Sequence, residues 1–158
     1  MNRPDESVPE KLVIRAMTAP DVDPVTLLEQ QIFPDPWPRI AFEGDLGYED
    51  RGFIVAEYNG IICGYAGYIT IAGEAHLTNI AVALEYRGKS IAKTLLNRIL
   101  EIARKADCDY IFLDVRPSNE AAISLYKKYN FRELYRRPDY YRFPVEDALV
   151  MVKNLRGE

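Results

Sequence analysis

Residues 79–102 constrain this chain more than any other stretch. Asn79-Ile80-Ala81-Val82 is short, apolar and rich in β-branched residues, Glu85-Tyr86-Arg87-Gly88-Lys89 interrupts it, and Ile91, Leu95, Ile99 and Ile102 then recur at helical spacing. The pattern predicts a buried strand that passes through a charged turn into a long amphipathic helix. The start of a helix carries backbone N–H groups with no partner inside the helix and a partial positive charge. With Arg87, Lys89 and Lys93 beside it, this helix start is expected to cradle a polyphosphate, so the ligand is expected to be anionic.

The rest of the chain sets limits on what surrounds that unit. A length of 158 residues suits one domain, and a chain of this size buries roughly 70% of the surface its unfolded form exposes. Hydrophobic residues make up 48% and charged residues 28%, as in soluble globular proteins. The net charge of −4 argues against a nucleic-acid partner held by a diffuse basic surface, while leaving room for a local basic pocket. No apolar run approaches the roughly 20 residues of a membrane-spanning helix. Met1 to Glu10 is polar and contains proline, unlike a signal peptide. The expectation is a flexible segment at 1–10, one domain over 11–158, no membrane or nucleic-acid partner, and a place in the cytoplasm. Cys63 and Cys108 sit in apolar surroundings without C-x-x-C spacing. They are expected to be reduced core thiols, with neither a disulfide framework nor a metal site.

In chain order, Lys11 to Met17 alternates apolar and polar residues and predicts a first strand. Thr18, Pro20, Asp21 and Asp23 form a helix-start signal, and Val25, Leu28 and Ile32 trace the apolar stripe of a helix ending near Phe33. Pro34-Asp35-Pro36-Trp37-Pro38 cannot continue it. A second helix is expected after Pro38 with Ile40, Phe42 and Leu46 as its apolar positions, and Trp37 either packs between the two helices or lines a substrate mouth. Gly52 to Glu57 and Ile61 to Ile71 read as a hairpin turned by Asn59-Gly60. Gly73-Glu74 turns the chain into a third strand, His76 to Val82. Tyr110 to Val115 is a further buried-strand run, so strand, helix and strand imply a right-handed parallel crossover, with ligands collecting beyond the carboxyl ends of the strands. Asn119 opens a helix carrying Ala122, Leu125, Tyr126 and Tyr129, and Asn130 is a good left-handed terminator. Phe131 to Tyr135 and Ala148 to Lys153 read as two closing strands around a loop, Arg136 to Pro144, rich in tyrosine, arginine and proline. The sum is an α/β domain around one mixed sheet.

With the elements placed, Arg87-Gly88-Lys89-Ser90-Ile91-Ala92 resembles the phosphate loop of the GNAT acetyltransferases: Arg or Gln, two residues, Gly, one residue, Gly or Ala. It departs from that pattern at Ser90, where the family usually has glycine. Leu113-Asp114-Val115-Arg116-Pro117-Ser118-Asn119, then Ala121 to Tyr126, Tyr129-Asn130-Phe131, Tyr140-Tyr141 and Glu146-Asp147-Ala148 resemble the ribosomal-protein-alanine N-acetyltransferase branch and its archaeal and eukaryotic relatives. The resemblance implies the GNAT (acyl-CoA N-acyltransferase) fold. That fold has a mixed, mostly antiparallel sheet with one parallel βαβ crossover and about four flanking helices. It also implies acetyl transfer from acetyl-CoA, as cosubstrate, to the N-terminal α-amino group of a protein or peptide, a ribosomal protein being one candidate. Oligomeric state is left open. By the same resemblance, Ile80, Ala81 and Val82 offer backbone groups to the pantetheine arm, and Arg87, Gly88, Lys89, Ser90, Ile91, Ala92 and Lys93 hold the pyrophosphate. Asn119 contacts the cofactor, Tyr126 stands by the thioester sulfur, and Tyr140 and Tyr141 grip the acceptor.

The chemistry asks for these residue types. An α-amino group has a pKa of about 7.7 to 8.0 and lysine one near 10.4, so an N-terminus offers far more neutral amine near neutral pH. A weak or water-relayed base is then sufficient. Asp114, where related enzymes often carry the longer glutamate, is the first candidate through an ordered water. His76, the one histidine, is the second, with a satisfied strand-end histidine as the alternative. Tyr126 either packs in the core or hydrogen-bonds the leaving thiolate as its charge develops, with proton return completing the step. Two other functions remain open from sequence: a GNAT enzyme acting on a small amine or lysine side chain, and an acyl-CoA-binding module with little turnover.

Overall fold

The computed structural model describes residues 11–157, so the expectation for residues 1–10 lies outside the described residues. The chain divides into two compact units. The first comprises residues 11–68 with Asn79–Ile99. In it β1 (Leu12–Ala16) pairs antiparallel with β2 (Arg51–Tyr58), in register from Leu12–Tyr58 to Ala16–Ile54. Thr18 starts a 3₁₀ turn in which the Asp21 carboxylate accepts hydrogen bonds from the Thr18 N–H and hydroxyl, both at 2.8 Å. That turn leads into α1 (Val22–Ile32), which sends Val22, Val25 and Leu28 into a cluster with Phe42, Phe53, Val55 and Tyr65. The second expected helix is short: α2 (Arg39–Glu43) has five residues. It buries Phe42 completely while leaving Ile40 73% exposed. Residues two apart lie on nearly opposite sides of a helix, so Ile40 and Phe42 could not both face the core.

The hairpin expected from Asn59-Gly60 is present between β2 and β3 (Ile61–Ile71), with both turn residues at positive φ (52° and 80°). Ala72 and Gly73, at φ 51° and 83°, make the turn into β4 (Glu74–Val82). After β4, residues Leu84–Tyr86 form a short 3₁₀ turn and α3 (Ile91–Lys105) begins, burying Ile91, Leu95, Leu96 and Ile99.

The second unit comprises Ile69–Thr78 and residues 100–157. β5 (Tyr110–Val115) runs parallel to β4, pairing Glu74–Tyr110 through Leu77–Leu113, as the strand–helix–strand order predicts. Its burial alternates: Ile111, Leu113 and Val115 are buried, whereas Tyr110 and Asp114 are exposed. Tyr110 to Val115 is therefore a one-faced strand rather than a run buried on both sides. α4 (Glu120–Lys128) is capped by Asn119, whose side-chain oxygen accepts from the Ala122 N–H at 3.2 Å, and the chain leaves it through Asn130 at φ 68°.

Residues 136–144 are not the expected loop. β6 (Arg132–Arg142) and β7 (Val145–Asn154) form a long antiparallel hairpin whose register slips between Glu133 and Tyr135 and between Arg137 and Tyr141. β6 is the outer strand and is exposed along nearly its whole length, so it has no apolar face to betray it in sequence. Pro138 is tolerated because an edge strand has one side without ladder bonds. Among the described residues the sheet has seven strands in the order β1-β2-β3-β4-β5-β7-β6. With its parallel β4–β5 pair and helices α1 to α4, it is the mixed α/β architecture expected. Among the described residues no helix is long and apolar enough to cross a membrane.

Candidate active site

In the first unit the charged turn becomes a left-handed loop. Gly88 (φ 80°) and Ser90 (φ 62°) both adopt positive φ, and α3 begins at the next residue, Ile91. Lys89 and Lys93 are exposed, as an anion site requires. Arg87 turns back along the strand, its Nε donating to the Val82 carbonyl at 3.2 Å. The Ser90 carbonyl accepts from both the Thr94 N–H (3.1 Å) and its hydroxyl (2.8 Å), closing the first helical turn. Ile80 is half-buried, whereas Ala81, Val82 and Ile91 are buried and Ala92 is half-buried. A Cβ at Gly88 would meet nothing within 4 Å, so the loop is open to solvent at that residue. Backbone N–H groups of a first helical turn, two lysines and a solvent-open loop fit a diphosphate.

The same unit holds a residue that the sequence analysis missed. Glu29, only 3% exposed, accepts hydrogen bonds at one oxygen from the Tyr65 hydroxyl and from Asn79 Nδ2 (3.4 Å), and at the other from the Trp37 N–H (2.9 Å). Burial first, then the Glu29 carboxyl, push the Tyr65 phenol far above its ordinary pKa, so it stays protonated. One signal for Glu29 was available: it falls within the apolar stripe of Val25, Leu28 and Ile32, where a carboxyl is out of place. Its partners lie 8, 36 and 50 residues away, which sequence does not reveal. Trp37 packs against Phe42 and Phe53, with ring centroids 6.1 and 6.3 Å apart. This packing supports the anchor alternative for Trp37.

The second unit gathers three of the expected residues. Tyr126, on α4, is 4% exposed and lies 5.7 Å from the Phe131 ring. Burial, and secondarily Tyr141, raise its phenol pKa well above the ordinary tyrosine value. Tyr141 is raised by burial and next by the Asp114 carboxylate. Asp114, Tyr126 and Tyr141 thus share one electrostatic neighbourhood, in which both phenols are held neutral. The Asp114 side chain is one-third exposed, with Arg137 Nε 3.8 Å from Oδ1. Tyr140 is half-exposed and meets Tyr141 edge-on at 5.1 Å.

His76 is placed differently. It pairs in register with Phe112, stacks on that ring at 5.4 Å and lies 4.0 Å from Glu74. Asp114 is two residues beyond Phe112 and so on the same face of β5. A half-exposed, stacked imidazole supports the strand-end alternative for His76. Asn119 commits its side-chain oxygen to capping α4. Among the described residues no group of three or more His, Cys, Asp or Glu is arranged to hold a metal ion.

The solvent-open Asp114 carboxylate can accept a proton and the neutral phenols in its neighbourhood can donate hydrogen bonds, the two functions that amine acylation by a thioester requires. Comparison with known proteins points the same way. The model of the acetyltransferase (GNAT) family matches residues 22–131. The N-alpha-acetyltransferase RimI of Mycobacterium tuberculosis is 33% identical over 148 residues, covering 90% of this chain and 92% of the relative. The crystal structure of the ribosomal-protein-S18-alanine N-acetyltransferase from Escherichia coli superposes with a TM-score of 0.84 at 28% identity, covering 93% of this chain and 96% of that one. Arabidopsis thaliana Naa50, solved with the bisubstrate analogue CoA-Ac-MVNAL, gives a TM-score of 0.79 at 25% identity over 91% and 99% of the two chains. From its parallel crossover to its helix-start loop and closing hairpin, the chain belongs to the acetyltransferase (GNAT) family, whose cosubstrate is acetyl-CoA.

Proposed function

We propose that this acetyltransferase is a cytoplasmic enzyme that transfers acetyl to the N-terminal α-amino group of a protein or peptide. The grouping of Asp114, Tyr126 and Tyr141 carries the reading. It supplies a base, a hydrogen-bond donor and an acceptor-side phenol in one neighbourhood. The relatives' names lend support, since one acts on an alanine of ribosomal protein S18 and another was solved with a peptide bisubstrate analogue. A ribosomal-protein N-terminus is accordingly the first acceptor to test.

Acetyl-CoA supplies an acetyl thioester, whose carbonyl carbon an amine nitrogen attacks as the C–S bond breaks. Residues Gly88 to Lys93 hold the pyrophosphate through helix-start N–H groups, with Lys89 and Lys93 adding charge, and Ile80 to Val82 line the pantetheine arm. Asp114 takes the proton lost by the attacking nitrogen through a water, because its short side chain favours a relay over direct contact. Tyr126 donates a hydrogen bond from its phenol to the departing sulfur as negative charge develops there. Its raised pKa keeps the phenol protonated and able to donate, and the thiolate, whose thiol has a pKa near 8.5, takes up the proton that the amine gives up. Tyr140 and Tyr141 orient the acceptor backbone.

The test is a peptide array with acetyl-CoA, scoring free thiol and the mass of each peptide. Acetylation of peptides with free Ala or Ser N-termini, and not of N-blocked peptides containing lysine, is the expected result. Modification of lysine side chains alone, or acetyl-CoA binding without thiol release, would overturn the reading.

A further inference from the structure

At the tip of the β6–β7 hairpin one carboxylate and one guanidinium tie three segments together. The Glu146 carboxylate accepts from the Ser118 N–H (2.7 Å) and hydroxyl (2.9 Å) and from Arg116 Nη1 (3.2 Å). Arg116 also donates to the Pro144 carbonyl (2.9 Å) and the Phe143 carbonyl (3.2 Å), and its Cζ lies 4.3 Å above the Tyr141 ring. Tyr141 is the cross-strand partner of Glu146 and the one half-buried residue of an otherwise exposed β6.

The ladder alone cannot hold this tip in place. The β6–β7 register slips between Arg137 and Tyr141, so the strand is irregular where it enters the tyrosine pair. Asp147 braces the slip by accepting the Asp139 N–H at 3.0 Å. Beyond it, the turn carbonyls, the Tyr141 ring and the segment just before Asn119 and α4 all converge on the Arg116–Glu146 pair. A guanidinium suits this task because its planar fork can donate to several acceptors while its face rests on an aromatic ring.

We infer that Arg116 and Glu146 are positioning residues for the acceptor. They clamp the hairpin tip to the α4 cap so that Tyr141 is held in a fixed pose relative to Tyr126. The inference rests on the proposal that Tyr140 and Tyr141 meet the acceptor. It predicts an effect on acceptor binding and little on acetyl-CoA binding, since Arg116 and Glu146 make these contacts to the hairpin and the cap.

Two variants test it, Glu146→Gln and Arg116→Lys. Gln can still accept from Ser118 but lacks the charge that holds Arg116, and Lys keeps the charge but loses the fork and the flat face. For both, the KM for a free N-terminal peptide is expected to rise about tenfold, the loss of a charge-assisted hydrogen bond. The KM for acetyl-CoA should stay within about twofold, and backbone amides of residues 138–146 should exchange hydrogen faster. A peptide KM equal to wild type, or an equal rise for acetyl-CoA, overturns the inference. Failure of the underlying reading looks different, because the wild-type protein then acetylates no free N-terminal peptide. In that event unchanged amide exchange in the two variants overturns the clamp and faster exchange supports it.

Discussion

Ser90 is the residue at which the proposed phosphate loop departs from the family pattern, and its backbone explains why glycine is usual there. At φ 62° it adopts the left-handed conformation, which costs an L-residue with a Cβ about 1–2 kcal/mol. Ser90→Gly should therefore raise stability by about 1 kcal/mol in denaturant unfolding, part of the relief being offset by the greater freedom of glycine in the unfolded chain. A loss of stability would mean that the serine side chain contributes more than its conformation costs. Tyr126 allows a sharper test. Tyr126→Phe removes one hydroxyl from a buried ring that also packs on Phe131, so the fold should survive while kcat at saturating substrate falls about 100-fold. Because the phenol pKa is shifted upward, the wild-type enzyme should keep its activity through pH 10, where an ordinary tyrosine would begin to lose its proton. A Tyr126→Phe enzyme with unchanged kcat removes the proposed donor.

The elements were legible where one short-range rule set the outcome. Asn59-Gly60 announced its hairpin because consecutive positive φ values are accessible to few residue pairs, and Ile91, Leu95 and Ile99 marked α3 because one face of that helix is wholly buried. β6 was illegible for the opposite reason. An edge strand with neither face in the core needs no alternation, and its tyrosines, arginines and Pro138 look like a loop. Gly64 shows what no local rule could reveal: a Cβ placed there would lie 2.9 Å from the Ala81 carbonyl oxygen and 3.3 Å from Leu95 Cδ1. Glycine at this point of β3 lets β4 and α3 approach. Gly64→Ala must displace a backbone atom of the very strand assigned to the pantetheine arm, so it should destabilise the protein by about 1–3 kcal/mol and weaken acetyl-CoA binding. A variant as stable as wild type in denaturant, with unaltered acetyl-CoA affinity by calorimetry, would show that the approach is not tight.

For the molecule as a whole, sequence singled out the proposed phosphate loop, Asp114 and Tyr126 as candidates because each sits in a contiguous motif, but not Glu29 or the Arg116–Glu146 pair, whose partners are assembled from distant segments. The same distinction applies to stability. Asp21 was visible as a helix-start residue, yet its main partner is Arg15 on β1, held at 2.6 and 2.9 Å, with Glu57 of β2 on the same guanidinium at 3.2 Å. Arg15 first, and the Thr18 backbone and hydroxyl in support, outweigh burial and bring the Asp21 carboxyl from 3.8 down to about 2. A carboxyl whose folded pKa lies below its unfolded value binds protons more tightly when unfolded. Its contribution to stability is therefore complete above about pH 4 and disappears as pH falls toward 2, amounting to about 2 kcal/mol. Asp21→Asn should be less stable than wild type at pH 7 by about that amount, and the two stability curves should converge near pH 2. Other carboxylates titrate in the same range, but they do so in both proteins and cancel from the difference. Denaturant unfolding of both proteins at half-unit steps from pH 2 to 7 measures it, and curves that stay parallel throughout would mean that Arg15 holds β1 to the start of α1 without drawing on the charge of Asp21.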